Sequence, residues 1–408
     1  MIQDFSKNIA YFTSNDNSAD LIALGCENEF IFDSNWTNNE LFSEIDSFIE
    51  KHKNHYLFSC FSYDLKNHIE KLESKNPDEI DFPLLKIWKA EVVLAFQNQN
   101  YTILEGELSA EHKRLLEEIL ESKKSNSLLP KLDFQAKISK QEYLKQLKEI
   151  KKEIAFGNIY ELNFCQEFSA KNVPDFDSYS LFNQLNLLTK APFSVYLNLE
   201  NHEVFCGSPE RYIQKTGNKL ISQPIKGTIR RGNDEMEDEL LKKTLLADPK
   251  ERSENVMITD LVRNDFSRIA AKNSVNVDEL CGLYSFGTVH QLISTISCEI
   301  KEKTTFSDIL KATFPMGSMT GAPKISAMQI SEKHENFKRG LYSGSIAYIK
   351  PNGDFDLNVV IRSLILNKKT RTFSAAVGGA ITMKSIPENE YEECLVKIQR
   401  LLDLFNHD

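Results

Sequence analysis

No apolar run in the 408-residue chain approaches the roughly 20 residues that a membrane-spanning helix needs. The start, Met1-Ile2-Gln3-Asp4, lacks the basic stretch and apolar stretch of a secretory leader. Basic residues are in deficit. The 49 Lys and Arg against 59 Asp and Glu leave a net charge of −10. That balance speaks against a nucleic-acid binder, whose phosphate contacts need clustered Lys and Arg. The lysines from Lys145 to Lys152 are interrupted by Glu149 and read as a solvated helix face. No Cys-x-x-Cys pair occurs among the seven scattered cysteines. Reduced thiols and a cytoplasmic location are therefore expected. No other histidine stands at metal-ligand spacing to His290, so zinc is not expected. No cysteine sits in a Gly-x-Cys-x-Gly context, so a cysteine amidotransferase within the chain is not expected. The small-residue run Gly317 to Lys324 lacks the Gly-Lys-Ser/Thr ending of a phosphate loop. Pro323 also removes one amide donor there, so an ATP site is rejected.

What is present is a globular composition, 41% hydrophobic and 26% charged. The length suits two or three domains or one large one, with a core that needs no disulfide or structural metal. Strand-like runs cover Phe58 to Tyr63 and Glu91 to Phe96, and a charged helix covers Glu111 to Lys123. Ser125-Asn126-Ser127 with Pro130 marks a linker. Ser139 and Glu142 form a capping-box pattern before Tyr143, Leu147, Ile150 and Ile154 at helical spacing, and Gly157 is a natural stop. A strand is expected over Ile159 to Phe164, and a hairpin over Ser194 to Leu199 and Glu203 to Cys206. Asn218 to Ile229 reads as extended and Glu235 to Leu246 as helical. Leu341 to Ile381 reads as a three-stranded meander with turns at Pro351-Asn352-Gly353 and Asn367-Lys368-Lys369. Short turns imply antiparallel pairing, and helices in separate blocks imply an α+β class.

Several constellations can carry chemistry. Glu251 and Glu254 are three apart, as are Glu390 and Glu393, so each pair lies on one helix face. Taken alone, each pair is more simply a solvated face. The functional alternative is a magnesium site built on one or two carboxylates plus a substrate oxygen. Lys226, in Pro224-Ile225-Lys226-Gly227-Thr228, is either an exposed lysine or a nucleophilic amine. Bringing a lysine from about 10.4 to about 7.5 requires burial or a nearby cation. Gly317 to Lys324 can offer backbone amides to a carboxylate. Val377-Gly378-Gly379-Ala380 lets a backbone approach a flat ligand. His290 alone reads as structural.

Together these pieces resemble the chorismate-utilising enzymes, and within that family most closely its aminodeoxychorismate synthase branch (component I). The resemblance runs from about Ile138 to Leu402. It is carried by Ile159-Tyr160-Glu161-Leu162-Asn163, Ser208-Pro209-Glu210-Arg211, Pro224 to Gly232, Lys250-Glu251-Arg252-Ser253-Glu254-Asn255, Asp260 to Asp265, Gly317 to Lys324, Val360-Ile361-Arg362-Ser363 and Pro387 to Glu393. It implies large antiparallel sheets sandwiched by helices. It also implies a variable N-terminal subdomain over 1–130 and a chorismate-binding catalytic region over 131–408.

The resemblance further implies Mg2+ as cofactor, with Glu254 and Glu393 as direct ligands and Glu251 and Glu390 acting through water. Arg362 with Tyr348 is implied for the enolpyruvyl carboxylate, and Lys397 for a substrate carboxylate. Thr228, Thr320, Gly378 and Gly379 are implied as further substrate contacts. Lys226 is implied as the nucleophile that distinguishes this branch from anthranilate synthases, which typically carry Ala there. Glu210 is implied as general acid, and His290 as a histidine near the ring. At Glu161 most ammonia-using relatives carry Gln, and water-using relatives carry a general-base Lys. Ala380 replaces a common Gly. The implied reaction gives 4-amino-4-deoxychorismate from chorismate and ammonia, toward 4-aminobenzoate and folate. A separate glutamine amidotransferase subunit is the implied ammonia source. The alternatives are an anthranilate synthase component I, or a catalytically silent chorismate-binding partner.

Overall fold

Alternation along one strand explains the layers. In Ile9–Thr13, Ile9 and Tyr11 enter a core shared with helix residues such as Tyr143, Leu181 and Cys394. Ala10, on the opposite face, enters a core made with Phe58, Trp88 and Ile346 of another sheet. Strands with two apolar faces thus build two sheets packed face to face, each covered outside by helices. This is the computed structural model of the chain, and it describes residues 8–16, 18–98, 100–122, 127–287 and 289–406.

Among these residues the first sheet has 11 strands. Its order is Gly321–Ala322, Glu161–Ala170, Thr372–Thr382, Ser363–Asn367, His202–Ser208, Phe193–Asn198, Ile9–Thr13, Asp20–Leu24, Val92–Gln97 and Asn100–Glu105, with Gln135–Ala136 paired beside Glu161–Ala170. The second has 10 strands. Its order is Ile225–Arg230, Val289–Glu299, Lys219–Gln223, Arg211–Thr216, Phe355–Asn358, Ser345–Ile349, Leu57–Phe61, Leu85–Lys89 and Asn28–Phe30, with Asn276–Ser285 beside Val289–Glu299. Every pairing is antiparallel, which agrees with the α+β expectation.

The expected helices form at Ala110–Ser122, Lys140–Ala155 and Glu235–Ala247. The Ser139 hydroxyl accepts the Glu142 amide and starts the second of these. Ser125 and Asn126 of the expected linker lie outside the described residues. The position near 130 does not divide the sheets. Residues 9–105 extend one sheet through Ile9–Thr13 on Phe193–Asn198 and the other through Leu57–Phe61 on Ser345–Ile349.

One extended reading holds with a break, and one is corrected. Asn218 to Ile229 is two strands, broken at Pro224, which has no amide to give a ladder. The Leu341 to Ile381 meander is four strands. Ser345–Ile349 and Phe355–Asn358 belong to one sheet, Ser363–Asn367 and Thr372–Thr382 to the other. The chain changes sheet through Val359 to Arg362, and Arg362 adopts φ +53 there. Hydrophobic alternation alone does not reveal such a crossing. No helix among the described residues is long and apolar enough to cross a membrane.

A buried ion pair locks the layers near the crossing. Arg339 Nε donates to Glu335 Oε2 at 2.9 Å, and its other nitrogens donate to Asn163 O at 2.9 Å and Met319 O at 2.8 Å. Glu335 Oε1 accepts the Cys165 amide at 3.0 Å. The guanidinium also lies over the Tyr63 ring. Removing one partner strands the other charge. Arg339→Met should therefore lower unfolding free energy by about 3–5 kcal/mol, measured as a shift of the urea midpoint at constant m-value. A shift worth under about 1 kcal/mol would remove the pair from its structural role.

Candidate active site

Two helices bring the paired glutamates to one cavity. Helix Pro249–Ser267 is capped by Asp248, whose side chain accepts from the Lys250 and Glu251 amides, with Pro249 at its first position. Helix Pro387–Leu402 also begins on proline. Glu251 and Glu254 of the first, and Glu390 and Glu393 of the second, line a cavity of about 390 Å³. The cavity opens between the Lys226 end of one sheet and the Gly378-Gly379 stretch of the other.

Lys226 is the centre of this cavity's charge. Its Nζ lies 2.9 Å from Glu161 Oε1, and both side chains are nearly inaccessible. Burial would lower the lysine, but Glu161, Glu254 and Glu210 outweigh it and hold the ammonium above its ordinary value. The depressed amine anticipated for a nucleophile is therefore not the resting state. Glu210 is pinned through its backbone: its amide donates to Ser208 Oγ at 3.2 Å, and its carbonyl accepts Val359 N at 3.0 Å. Burial pushes its carboxyl up to about 7, against the opposing pull of Ser318 and Lys226. A carboxyl poised there can deliver a proton near neutral pH.

The carboxylate cluster is short of hydrogen-bond partners. Glu254 is buried, its Oε1 has none, and burial pushes it up to about 8. Lys250 Nζ stands 2.9 Å from Glu390 and 3.8 Å from Glu254. Lys397 Nζ stands 2.6 Å from Glu393 and 3.3 Å from Gly378 O. Burial would raise Glu393, but Lys397, Lys250 and Lys226 hold it below the ordinary range. As drawn, no three His, Cys, Asp or Glu side chains among the described residues close around one point. The donor chemistry nevertheless suits a hard cation, since four carboxylates face one cavity and lysine ammonium groups now supply the positive charge.

Arg362 lies at the crossing between sheets and lines the same cavity. Its guanidinium has no hydrogen bond or ion pair among the described residues. Burial and the neighbouring Arg400 disfavour its charge. A cation in that state is a ready site for an anion. Thr228, Gly378 and Gly379 also line the cavity. A Cβ on Gly378 would meet Cys165 Sγ at 2.6 Å, so a side chain there has no room.

Three expected residues are not at the cavity. Tyr348 lines a different cavity of about 450 Å³ with Arg211 and Asp356, its ring edge-on to Phe12. Tyr342 lines the Arg362 cavity instead. His290 is buried on the other face of its strand, with Nε2 2.9 Å from Asp238 Oδ1 and Nδ1 2.8 Å from Ser285 Oγ. Asp238 also takes a fork from Arg231, so His290 serves to fix helix Glu235–Ala247. Its strand neighbours Val289 and Gln291 face the cavity, which period-two alternation around His290 could have revealed. The Thr320 hydroxyl is spent on the Met316 and Gly317 carbonyls, at 3.3 and 3.2 Å. Ser318 and Met319 of that loop line the cavity. Lys250 was also missed, although its four-residue spacing to Glu254 was visible.

The chain is similar to known proteins. A profile of the chorismate binding enzyme family matches residues 7–403. Aminodeoxychorismate synthase component 1 of Escherichia coli (strain K12) is 34% identical over 343 residues, covering 84% of this chain and 75% of that protein. Anthranilate synthase component 1 of Aquifex aeolicus is 32% identical over 367 residues, covering 85% and 73%. The crystal structure of anthranilate synthase component I from Streptococcus pneumoniae superposes with a TM-score of 0.76 at 23% identity, covering 98% of this chain and 93% of that one. That likeness confirms the fold of paired sheets between helices. On this match the chain belongs to the chorismate binding enzyme family.

Proposed function

We propose that the protein is an aminodeoxychorismate synthase component I, converting chorismate and ammonia to 4-amino-4-deoxychorismate. The observation that carries this reading is the shared cavity of Lys226, Glu210 and the unpaired Arg362. An amine, a carboxyl poised near 7 and a guanidinium awaiting an anion suit displacement of a hydroxyl from a dicarboxylate. The relative from Escherichia coli supports the same reading.

In the proposed reaction Arg362 holds one substrate carboxylate. The Lys226 amine attacks the ring, the ring double bonds shift, and the hydroxyl leaves as water with the Glu210 proton. Ammonia then adds where the hydroxyl stood and displaces Lys226, which places the new amine para to the ring carboxylate. Mg2+ is proposed as cofactor, held by Glu254 and Glu393 with Glu251 and Glu390 behind them. When bound it would neutralise the second substrate carboxylate beside the glutamates. A glutamine amidotransferase subunit is the proposed ammonia source, and the product would feed 4-aminobenzoate and folate synthesis in the cytoplasm. The second reading, anthranilate synthase component I, is supported by the relatives from Aquifex aeolicus and Thermus thermophilus.

Product identity separates the two. Purified protein with chorismate, Mg2+ and ammonium should give 4-amino-4-deoxychorismate by liquid chromatography and mass spectrometry, and anthranilate as product would select the second reading. Lys226→Ala should abolish the para amine or divert it to the ortho isomer, and an unchanged para product would end the covalent scheme. Arg362→Ala should raise KM for chorismate at least tenfold, since a charge-assisted bond contributes about 1.5–3 kcal/mol. Because Glu210 must be protonated to act, kcat/KM should fall as pH rises through about 7. Glu210→Gln should cut turnover by about 10²–10⁴ and erase that limb.

A further inference from the structure

We propose that Glu161 is the base that takes the proton from the Lys226 ammonium and frees the amine for attack. This step rests on the reading of Lys226 as nucleophile. Among the described residues only Glu161 places a carboxylate oxygen within 4.0 Å of Lys226 Nζ, at 2.9 Å. Glu254 and Glu210 act on that amine only from farther away. Glu210 has its own task, since its proton goes to the departing hydroxyl.

The Glu161 side chain is held from both sides. Its residue pairs with Ala322 on one neighbouring strand and Thr382 on the other, so the carboxylate cannot swing away with its backbone. Its second oxygen, Oε2, is buried with no hydrogen-bond partner. Proton transfer along the 2.9 Å contact also removes two buried charges at once, each costly to keep ionised away from water. The charged groups facing the pair are Glu254 from helix Pro249–Ser267, Glu393 from helix Pro387–Leu402, and Glu210.

The protons and bonds balance. One proton moves from Lys226 Nζ to Glu161 Oε1, and the freed electron pair forms the bond to the ring carbon. The ring double bonds shift and the carbon–oxygen bond breaks, the hydroxyl taking the Glu210 proton. When ammonia adds, the bond to Lys226 breaks and the departing amine recovers its proton from Glu161. The excess proton on the new carbon-bound nitrogen returns to Glu210.

The test is Glu161→Gln, near in shape but unable to accept the proton. Two measurements are paired: turnover against pH, and carbamylation of Lys226 by cyanate without chorismate, read by mass spectrometry. Removing the anion should make the amine easier to free, so labelling should become faster. Losing the base should slow turnover at neutral pH by about 10²-fold or more, with partial recovery as pH rises. Opposite movement of the two supports the proposal. If turnover rises with labelling, Glu161 only tunes the lysine, and the proposal fails. If turnover is unchanged, it fails as well. In Glu161→Ala, added formate should restore turnover by filling the vacated space with a carboxylate, and no recovery would count against a base. If the wild-type protein forms no 4-amino-4-deoxychorismate, the functional reading falls and this step with it. Normal wild-type product beside an undiminished Glu161→Gln defeats this step alone.

Discussion

The ion pair of Lys226 and Glu161 joins the two sheets where their edges part. Lys226 lies in the last strand of one sheet, and Glu161 lies one strand in from the edge of the other. Among the described residues neither charge has another partner of opposite sign within 4.0 Å, so each fixes the position of the other. The cavity exists because the sheets separate around this contact and the two proline-started helices close over it. Three elements far apart in sequence meet at one amine: the strand from 161, the strand from 225 and the helix from 249. Any displacement of one sheet against the other would break a nearly water-free charge pair, which is costly. The same cost that makes the pair rigid makes it reactive once a proton can move within it.

The Glu335–Arg339 pair plays a complementary part from below. It holds Asn163 and Cys165 in the strand that carries Glu161, and Met319 in the loop that carries Ser318. Two positions of the cavity floor, Asn163 and Met319, are thus tied to one guanidinium. Gly321, at φ +141, sits so close to the Glu161 carbonyl that an added Cβ would lie 2.2 Å from that oxygen. Close backbone packing and the buried pair together fix the strand that presents Glu161.

Much of this was legible in the sequence, because its signals are local. The Ser139 cap, the helical spacing from Tyr143 and the hairpin near Asn198 are short-range patterns, and each formed where expected. The paired glutamates, Lys226, Glu210, Arg362 and the two glycines met at one cavity, because motif and chemistry pointed the same way. The failures have separate causes. His290 sits one strand face away from where it was expected, because period two turns a small misplacement into the opposite side of a sheet, whereas Tyr348 lies on a strand none of whose residues lines the cavity. The sheet crossing before Arg362 was invisible because both halves of the segment are equally apolar. The charged state of Lys226 was also invisible, since it depends on a carboxylate 65 residues away in sequence.

The charges lining the cavity bear on how a dianion would lie. Arg362 and Arg400 line it together with Glu251, Glu254, Glu390 and Glu393. A dicarboxylate with one group on Arg362 would bring its second toward the glutamates, where like charges repel. Lys250 now offsets part of that charge, but its ammonium is already engaged by Glu390 and faces Glu254. A divalent cation held by these glutamates would supply the positive charge that offsets the repulsion, whereas a tethered monovalent amine cannot serve both glutamates and a substrate at full strength. On this argument the acidic wall would work against substrate binding without a metal and select for its orientation with one. Lys226, in the same cavity, would then face the ring rather than either carboxylate. Glu161 stands behind that amine, on the side away from bulk water, where an acceptor for its proton is needed and solvent cannot act in its place.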